Sequence, residues 1–106
     1  MKSQRYIFTI LLLLYACIAT AYDFEKDGIY YKITSDVDKT VSVVSNPDDM
    51  SAYSGVITIP ETVSYTYGTF SVTSIASSAF SYCSSLVGIT IPNSVTVIEQ
   101  EAFMNS

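Results

Sequence analysis

Histidine is absent from the 106 residues. Its absence removes the commonest general base and the commonest nitrogen ligand for metals together. Serine is plentiful, yet a Ser-His pair is impossible and no Ser-x-x-Lys sequence occurs, so no hydroxyl has an activating base. Cations are scarce as well. Beyond residue 21 only Lys26, Lys32 and Lys39 face ten carboxylates, a net charge of −7. A chain so acidic repels phosphate backbones and anionic lipid, which excludes nucleic acid as a partner. Of the two cysteines, Cys17 lies in the N-terminal apolar run, leaving Cys83 alone and without an internal disulfide partner. A lone cysteine in an apolar pattern is read as a small buried hydrophobe.

The carboxylates form no working site in the sequence. Glu99 and Glu101 are spaced as a pair, but nothing nearby would tune them, and solvation of an exposed segment explains both. Asp36, Asp38, Asp48 and Asp49 invite comparison with a calcium loop. Such a loop needs a glycine where Val41 stands and a distal glutamate where Pro47 stands. Turn chemistry accounts for these aspartates. No metal, cofactor or catalytic residue is therefore expected.

Long apolar runs are limited to one, Ile7 to Ala19, preceded by Lys2 and Arg5 and followed by Ala19-Thr20-Ala21. A basic start, a short apolar stretch and a small-x-small end describe a secretory signal peptide. The run is too short to span a bilayer as a helix, so no transmembrane segment is expected to remain after cleavage. Lipid attachment at Cys17 is a lesser alternative, because Tyr15 is bulky for a lipobox. Residues 1–21 are read as the signal peptide, 22–55 as an N-terminal hairpin region and 56–106 as repeats.

Two β-rich segments, Gly28 to Thr34 and Thr40 to Val44, flank the polar link Ser35 to Lys39 and predict a hairpin. Thr62 to Tyr65 and Thr69 to Val72 predict a second, around Thr66-Tyr67-Gly68. The rest of the chain repeats itself. Val72-Thr73-Ser74-Ile75, ending in Ala79-Phe80, is echoed by Val95-Thr96-Val97-Ile98, ending in Ala102-Phe103, a step of 23 residues. Ile57-Thr58-Ile59-Pro60 is echoed by Ile89-Thr90-Ile91-Pro92 at a step of 32, and the second hairpin accounts for the excess. Periods of roughly 20–50 residues mark stacked units, none able to bury its apolar face alone. Ser77 to Phe80 fits one helical or 3₁₀ turn, with Cys83 and Leu86 following at spacings of three.

The run Val72-Thr73-x-Ile75-x₃-Ala79-Phe80-x₂-Cys83-x₂-Leu86-x₂-Ile89-Thr90-Ile91-Pro92-x-Ser94-Val95 resembles the leucine-rich repeat of the Bacteroides surface protein A type. The opening Tyr22-Asp23-Phe24 to Tyr30-Tyr31 resembles the start of exported members. The resemblance implies a β-rich leucine-rich-repeat solenoid, right-handed, with short strands and short helical or 3₁₀ turns, preceded by an N-terminal β-hairpin. Val72, Ile75, Phe80, Cys83, Leu86, Ile89, Ile91 and Val95 would form the repeat core, with Ile98 and Phe103 stacked on Ile75 and Phe80. It also implies an exported or surface-displayed recognition or adhesion protein without enzymatic activity. The ligand would be a protein or glycan, host-derived in some family members.

The pattern breaks at Ser106, which falls at the Cys83 position with no strand after it. The expectation is the N-terminal part of a longer repeat protein, or a truncated capping fragment whose apolar last unit self-associates. Tyr30, Tyr31, Tyr53, Tyr65, Tyr67 and Tyr82 cannot all face inward in alternating strands. Tyr30, Tyr31, Tyr65, Tyr67 and Tyr82 are the candidate ligand contacts, for a protein or for a polysaccharide. Intact mass of the exported protein should correspond to a chain beginning at Tyr22; a mass retaining Ala21 and the residues before it would remove the cleavage reading.

Overall fold

Short β-branched runs broken by polar links give short strands. The computed structural model describes residues 22–106, which hold eight strands and no helix. The expected signal peptide, Cys17 included, lies outside the described residues. The strands are β1 (Phe24–Lys26), β2 (Ile29–Ser35), β3 (Thr40–Val44), β4 (Gly55–Thr58), β5 (Thr62–Tyr65), β6 (Gly68–Ile75), β7 (Leu86–Thr90) and β8 (Val97–Ile98). The larger sheet runs β1-β2-β3-β6-β5, with β8 also on β6; β4 and β7 form a second sheet.

Three antiparallel hairpins build the larger sheet. β1 and β2 turn at Asp27-Gly28, whose φ values of 53° and 86° are both positive, as a two-residue turn between twisted strands requires. The Gly28 N–H donates to Glu25 Oε2 at 2.6 Å. β2 and β3 pair from Tyr30↔Val44 to Ser35↔Thr40, and β5 and β6 turn through Thr66-Tyr67.

Parallel pairing then ties the hairpins to the repeats. β3 and β6 align Val41 with Val72 and Val43 with Ile75, and all four side chains are fully buried. β6 aligns Ile75 with Ile98 of β8. In the second sheet Ile57 pairs with Ile89 and Thr58 with Thr90, and the Ile59 N–H donates to the Thr90 carbonyl at 3.0 Å. The two Ile-Thr-Ile-Pro segments thus lie side by side, with the β5–β6 hairpin leaving the path between them.

The segment expected to hold a helical or 3₁₀ turn does not form one. Reverse turns replace it: Ala79 N–H donates to the Ala76 carbonyl and Ser81 N–H to Ser78, both at 3.2 Å. The next unit repeats them, Ala102 to Glu99 and Met104 to Glu101, also at 3.2 Å. Helical continuation is blocked because Ser78 and Tyr82 have φ of 65° and 62°, in the left-handed region. Glu101 and Asn105, 23 residues on, have φ of 66° and 61°. Neighbouring units are sewn together by Phe80 N–H to the Ala102 carbonyl at 2.8 Å and Tyr82 N–H to Met104 at 3.1 Å. Serine hydroxyls add to the seam, Ser77 to the Gln100 carbonyl at 3.0 Å and Ser81 to Glu101 at 2.9 Å.

The core fills the space between the sheets. Val72, Ile75, Phe80 and Cys83 are fully buried, while Leu86, Ile89, Ile91, Val95 and Phe103 pack on them half-covered. The Phe80 and Phe103 rings stack with centroids 5.3 Å apart and planes 7° apart. Ile98 departs from the expected core: it is 50% exposed, because nothing among the described residues lies beyond β8. Burial raises the pKa of the Cys83 thiol, whose Sγ donates to the Met50 carbonyl at 3.2 Å.

Three outcomes follow for stability. In urea unfolding, Phe80→Ala should cost about 3–5 kcal/mol, since it empties the stack on which Phe103 rests. Glu101→Gly should instead stabilise by about 0.5–1 kcal/mol, because relief of a left-handed side chain exceeds the added backbone entropy of glycine. Burial also pushes the Tyr31 hydroxyl from 10.0 up to about 12, and that of Tyr53 upward too. A raised folded-state pKa means stability is fully present below pH 10 and is lost as pH climbs through the folded value. Melts across the alkaline range should therefore decline above about pH 10, and Tyr31→Phe should make that decline shallower.

Candidate recognition surfaces

Strand alternation sorts the candidate tyrosines. Tyr30 and Tyr31 are consecutive in β2, so their side chains leave opposite faces of the sheet. Tyr31 is the one that turns inward, 1% exposed and stacked on Phe24 at 5.1 Å, and its ring offers no face to a macromolecule. Tyr53 is buried as well: its hydroxyl donates to the Val44 carbonyl at 2.7 Å and accepts from the Tyr30 N–H at 3.0 Å. Tyr30 is half-buried, edge-on to Tyr22 with centroids 5.0 Å apart.

Tyr65 and Tyr67 come together at the tip of the β5–β6 hairpin. Tyr65 is half-buried and lies flat on Phe24, with centroids 4.1 Å apart. Tyr67 is exposed, and its hydroxyl donates to Asp36 Oδ1 at 2.6 Å. That bond holds the phenol in its neutral form and raises its pKa. Lys39 sits beside both groups, its Nζ 4.4 Å from the Tyr67 centroid, 5.4 Å from that of Phe70 and 3.7 Å from Asp36 Oδ1. The lysine stem crosses Gly68, where an added Cβ would meet Lys39 Cε at 3.3 Å. The two loop tips are thereby joined by a cation, a phenol and a carboxylate, and Tyr67 is held in place as an aromatic contact.

Tyr82 stands apart from this group, on the turns between β6 and β7. It is 54% exposed and left-handed in φ, at the repeat position that Asn105 fills one unit later. Asparagine tolerates that conformation and tyrosine does not favour it.

The second sheet carries a surface that the tyrosine argument missed. Ile57 and Ile89 point to the core, so Val56, Thr58 and Thr90 beside them point away, and Val56 is 70% exposed. Val87 is the unpaired residue where the register shifts between Gly55 and Val56, and it is 80% exposed. No other strand pairs with β4 or β7 among the described residues. The signal was present in the sequence as period-two alternation within Val56-Ile57-Thr58.

The carboxylates do not gather. Asp48 and Asp49 are engaged in local turns, through Asp48 N–H to Asn46 Oδ1 at 2.9 Å and Ser51 Oγ to Asp49 Oδ1 at 2.7 Å. These donations from Ser51 lower the pKa of Asp49. Asp38 N–H is held by Ser35 Oγ at 3.1 Å, and Glu99 and Glu101 are exposed. Among the described residues no three His, Cys, Asp or Glu side chains converge as a metal site would need, and no helix is long and apolar enough to cross a membrane.

These repeated turns, paired Ile-Thr-Ile segments and stacked phenylalanines have counterparts in known proteins. Residues 57–106 match the family model described as "BspA type Leucine rich repeat region (6 copies)". A leucine-rich repeat protein from Bacteroides ovatus, known from its crystal structure, is similar in fold with a TM-score of 0.63 and 33% sequence identity. The similarity covers 77% of this chain and 21% of that one, so this chain spans about a fifth of that protein's length. No curated protein matches the chain significantly. Residues 57–106 are thus a BspA-type leucine-rich repeat region.

Proposed function

We propose that the protein is an exported, non-enzymatic recognition module, which displays a leucine-rich-repeat solenoid and adheres to protein ligands on host or neighbouring cells. The observation that carries this reading is the outer face of β4–β7. It places Val56 and Val87, two strongly exposed β-branched residues, on paired parallel strands with no further strand over them among the described residues. Apolar side chains left bare on a rigid strand pair are a feature of contact surfaces rather than of solvated ones. The N-terminal apolar run and its small-residue end support export, and the similarity to BspA-type repeats supports a recognition role. The absence of histidine and the dispersal of the carboxylates support a role in binding over one in catalysis. Tyr67 and Tyr82 are further exposed aromatics of the kind that anchor such contacts.

Immobilised host extracellular-matrix proteins should retain the full chain. A Val56→Asp, Val87→Asp double variant, altered only at exposed positions, should lose at least about tenfold in affinity while melting as the parent does. No retention of the parent chain by any matrix protein or cell surface would overturn the reading.

A further inference from the structure

Apart from the surfaces already described, the described residues form a half-open cleft. It lies where the β1–β2 turn meets β5 and the end of β4, and its volume is about 360 Å³. That lies within the roughly 300–1,000 Å³ typical of small-molecule sites. We propose that this pocket binds a neutral sugar ring.

The argument starts with Tyr31. Its ring is buried against Phe24 and the side chain is 1% exposed, yet no hydrogen bond among the described residues engages its hydroxyl. The hydroxyl is not a sealed, unsatisfied group either, so it opens into the pocket that the residue lines. A phenol oxygen that opens into the cleft offers one donor and one acceptor to a molecule seated there.

The rest of the lining names the class of partner. Thr58 and Thr62 supply hydroxyls, each able to donate and to accept. Ile29, Pro60 and Val63 supply apolar wall, suited to the C–H face of a pyranose. Lys26 and Asp27 contribute one charge of each sign at the turn, so no net charge favours an anion or a cation. At the mouth Asp27 and Gly28 close a tight turn, and Lys26 Nζ reaches the Ser64 carbonyl at 3.5 Å. Two-way hydroxyl donors over an apolar wall, with balanced charge, fit a neutral polyol ring better than a phosphate, a carboxylate or a metal ion.

This pocket meets the outer face of β4–β7 only at Thr58 and includes neither Val56 nor Val87, so failure of either reading leaves the other standing. The test is NMR titration of the full chain with glucose, galactose, mannose and N-acetylglucosamine. Their methyl glycosides, and glucuronic acid and glucose 6-phosphate as charged controls, complete the panel. At least one neutral sugar should shift the amides of residues 26–31 and 58–64 saturably. Tyr31→Phe and Thr62→Val should each weaken that binding about 2- to 10-fold, the loss expected for one hydrogen bond, with the melt unchanged in Thr62→Val. Binding of free sugars together with methyl glycosides assigns the pocket to a glycan chain end. Binding of the free sugars alone assigns it to soluble sugar. Absence of saturable shifts with every neutral sugar, tighter binding of the charged controls, or binding indifferent to both substitutions would overturn the proposal.

Discussion

Everything in this molecule hangs on the parallel alignment of β3 with β6. A 23-residue unit presents an apolar edge on each side and cannot cover either by itself. The N-terminal hairpin faces the same difficulty, since an isolated hairpin is marginal in water. Setting Val41 against Val72 and Val43 against Ile75 solves both at once, and all four side chains vanish from solvent. The main chain follows: Ser71 N–H donates to the Lys39 carbonyl at 2.8 Å and Ala76 N–H to Val43 at 2.9 Å. The hairpin is therefore the lid on the first side of the stack. It lets a chain with little more than one regular unit assemble a core from Phe24 to Ala102.

The free edges show where that logic stops. On the hairpin side, β2 extends beyond β1, and the Asp23 carboxylate fills the gap by accepting from the Ile33 N–H at 2.7 Å. A carboxylate on an exposed edge also discourages a foreign strand, in line with the ways natural sheets guard their edges. On the other side β7 and β8 carry no such guard. Val97, Ile98 and Met104 are exposed there, while the Phe103 ring rests on Phe80 with one face half-open. The two ends of the stack are thus unlike, one with a carboxylate bonded along its edge and the other with apolar side chains left exposed.

Much of this was legible in the residues, and the misses have identifiable physical causes. Both predicted hairpins formed because β-branched runs flanking a short polar link leave few alternatives. β1 escaped notice because three residues, Phe24-Glu25-Lys26, are too few to show a period, although Asp27-Gly28 is a strong local turn signal. The helical turn at Ser77 to Phe80 failed because spacing cannot report φ, and Ser78 and Tyr82 are not residues that announce a left-handed backbone. Composition alone places Tyr31 among the surface candidates. Its pairing with Phe24 and Val43, both buried, decided otherwise. Ile98 was counted as core by its repeat phase, but phase specifies which face a residue takes and not whether a neighbour covers it. Alternation marks Val56 as outward but puts Val87 in phase with the inward Ile89; only the register shift between Gly55 and Val56 turns Val87 out, and only the fold shows that no described strand lies over them.

The left-handed positions explain how such a framework can vary its surface. Each unit has two of them, Ser78 with Tyr82 and Glu101 with Asn105, and none of the four is glycine. Local preference cannot be the cause, since serine, tyrosine and glutamate pay a steric penalty there. The conformation is imposed from outside, by the turn bonds and by inter-unit bonds such as Tyr82 N–H to the Met104 carbonyl. Because main-chain bonds set the shape, the side chain is left with little structural duty, and three of the four are exposed. A tyrosine can then stand where the next unit has an asparagine, at the cost of some strain and without change of fold. Strain accepted at an exposed position is a reason to look for contact there, because nothing in the packing asks for the ring.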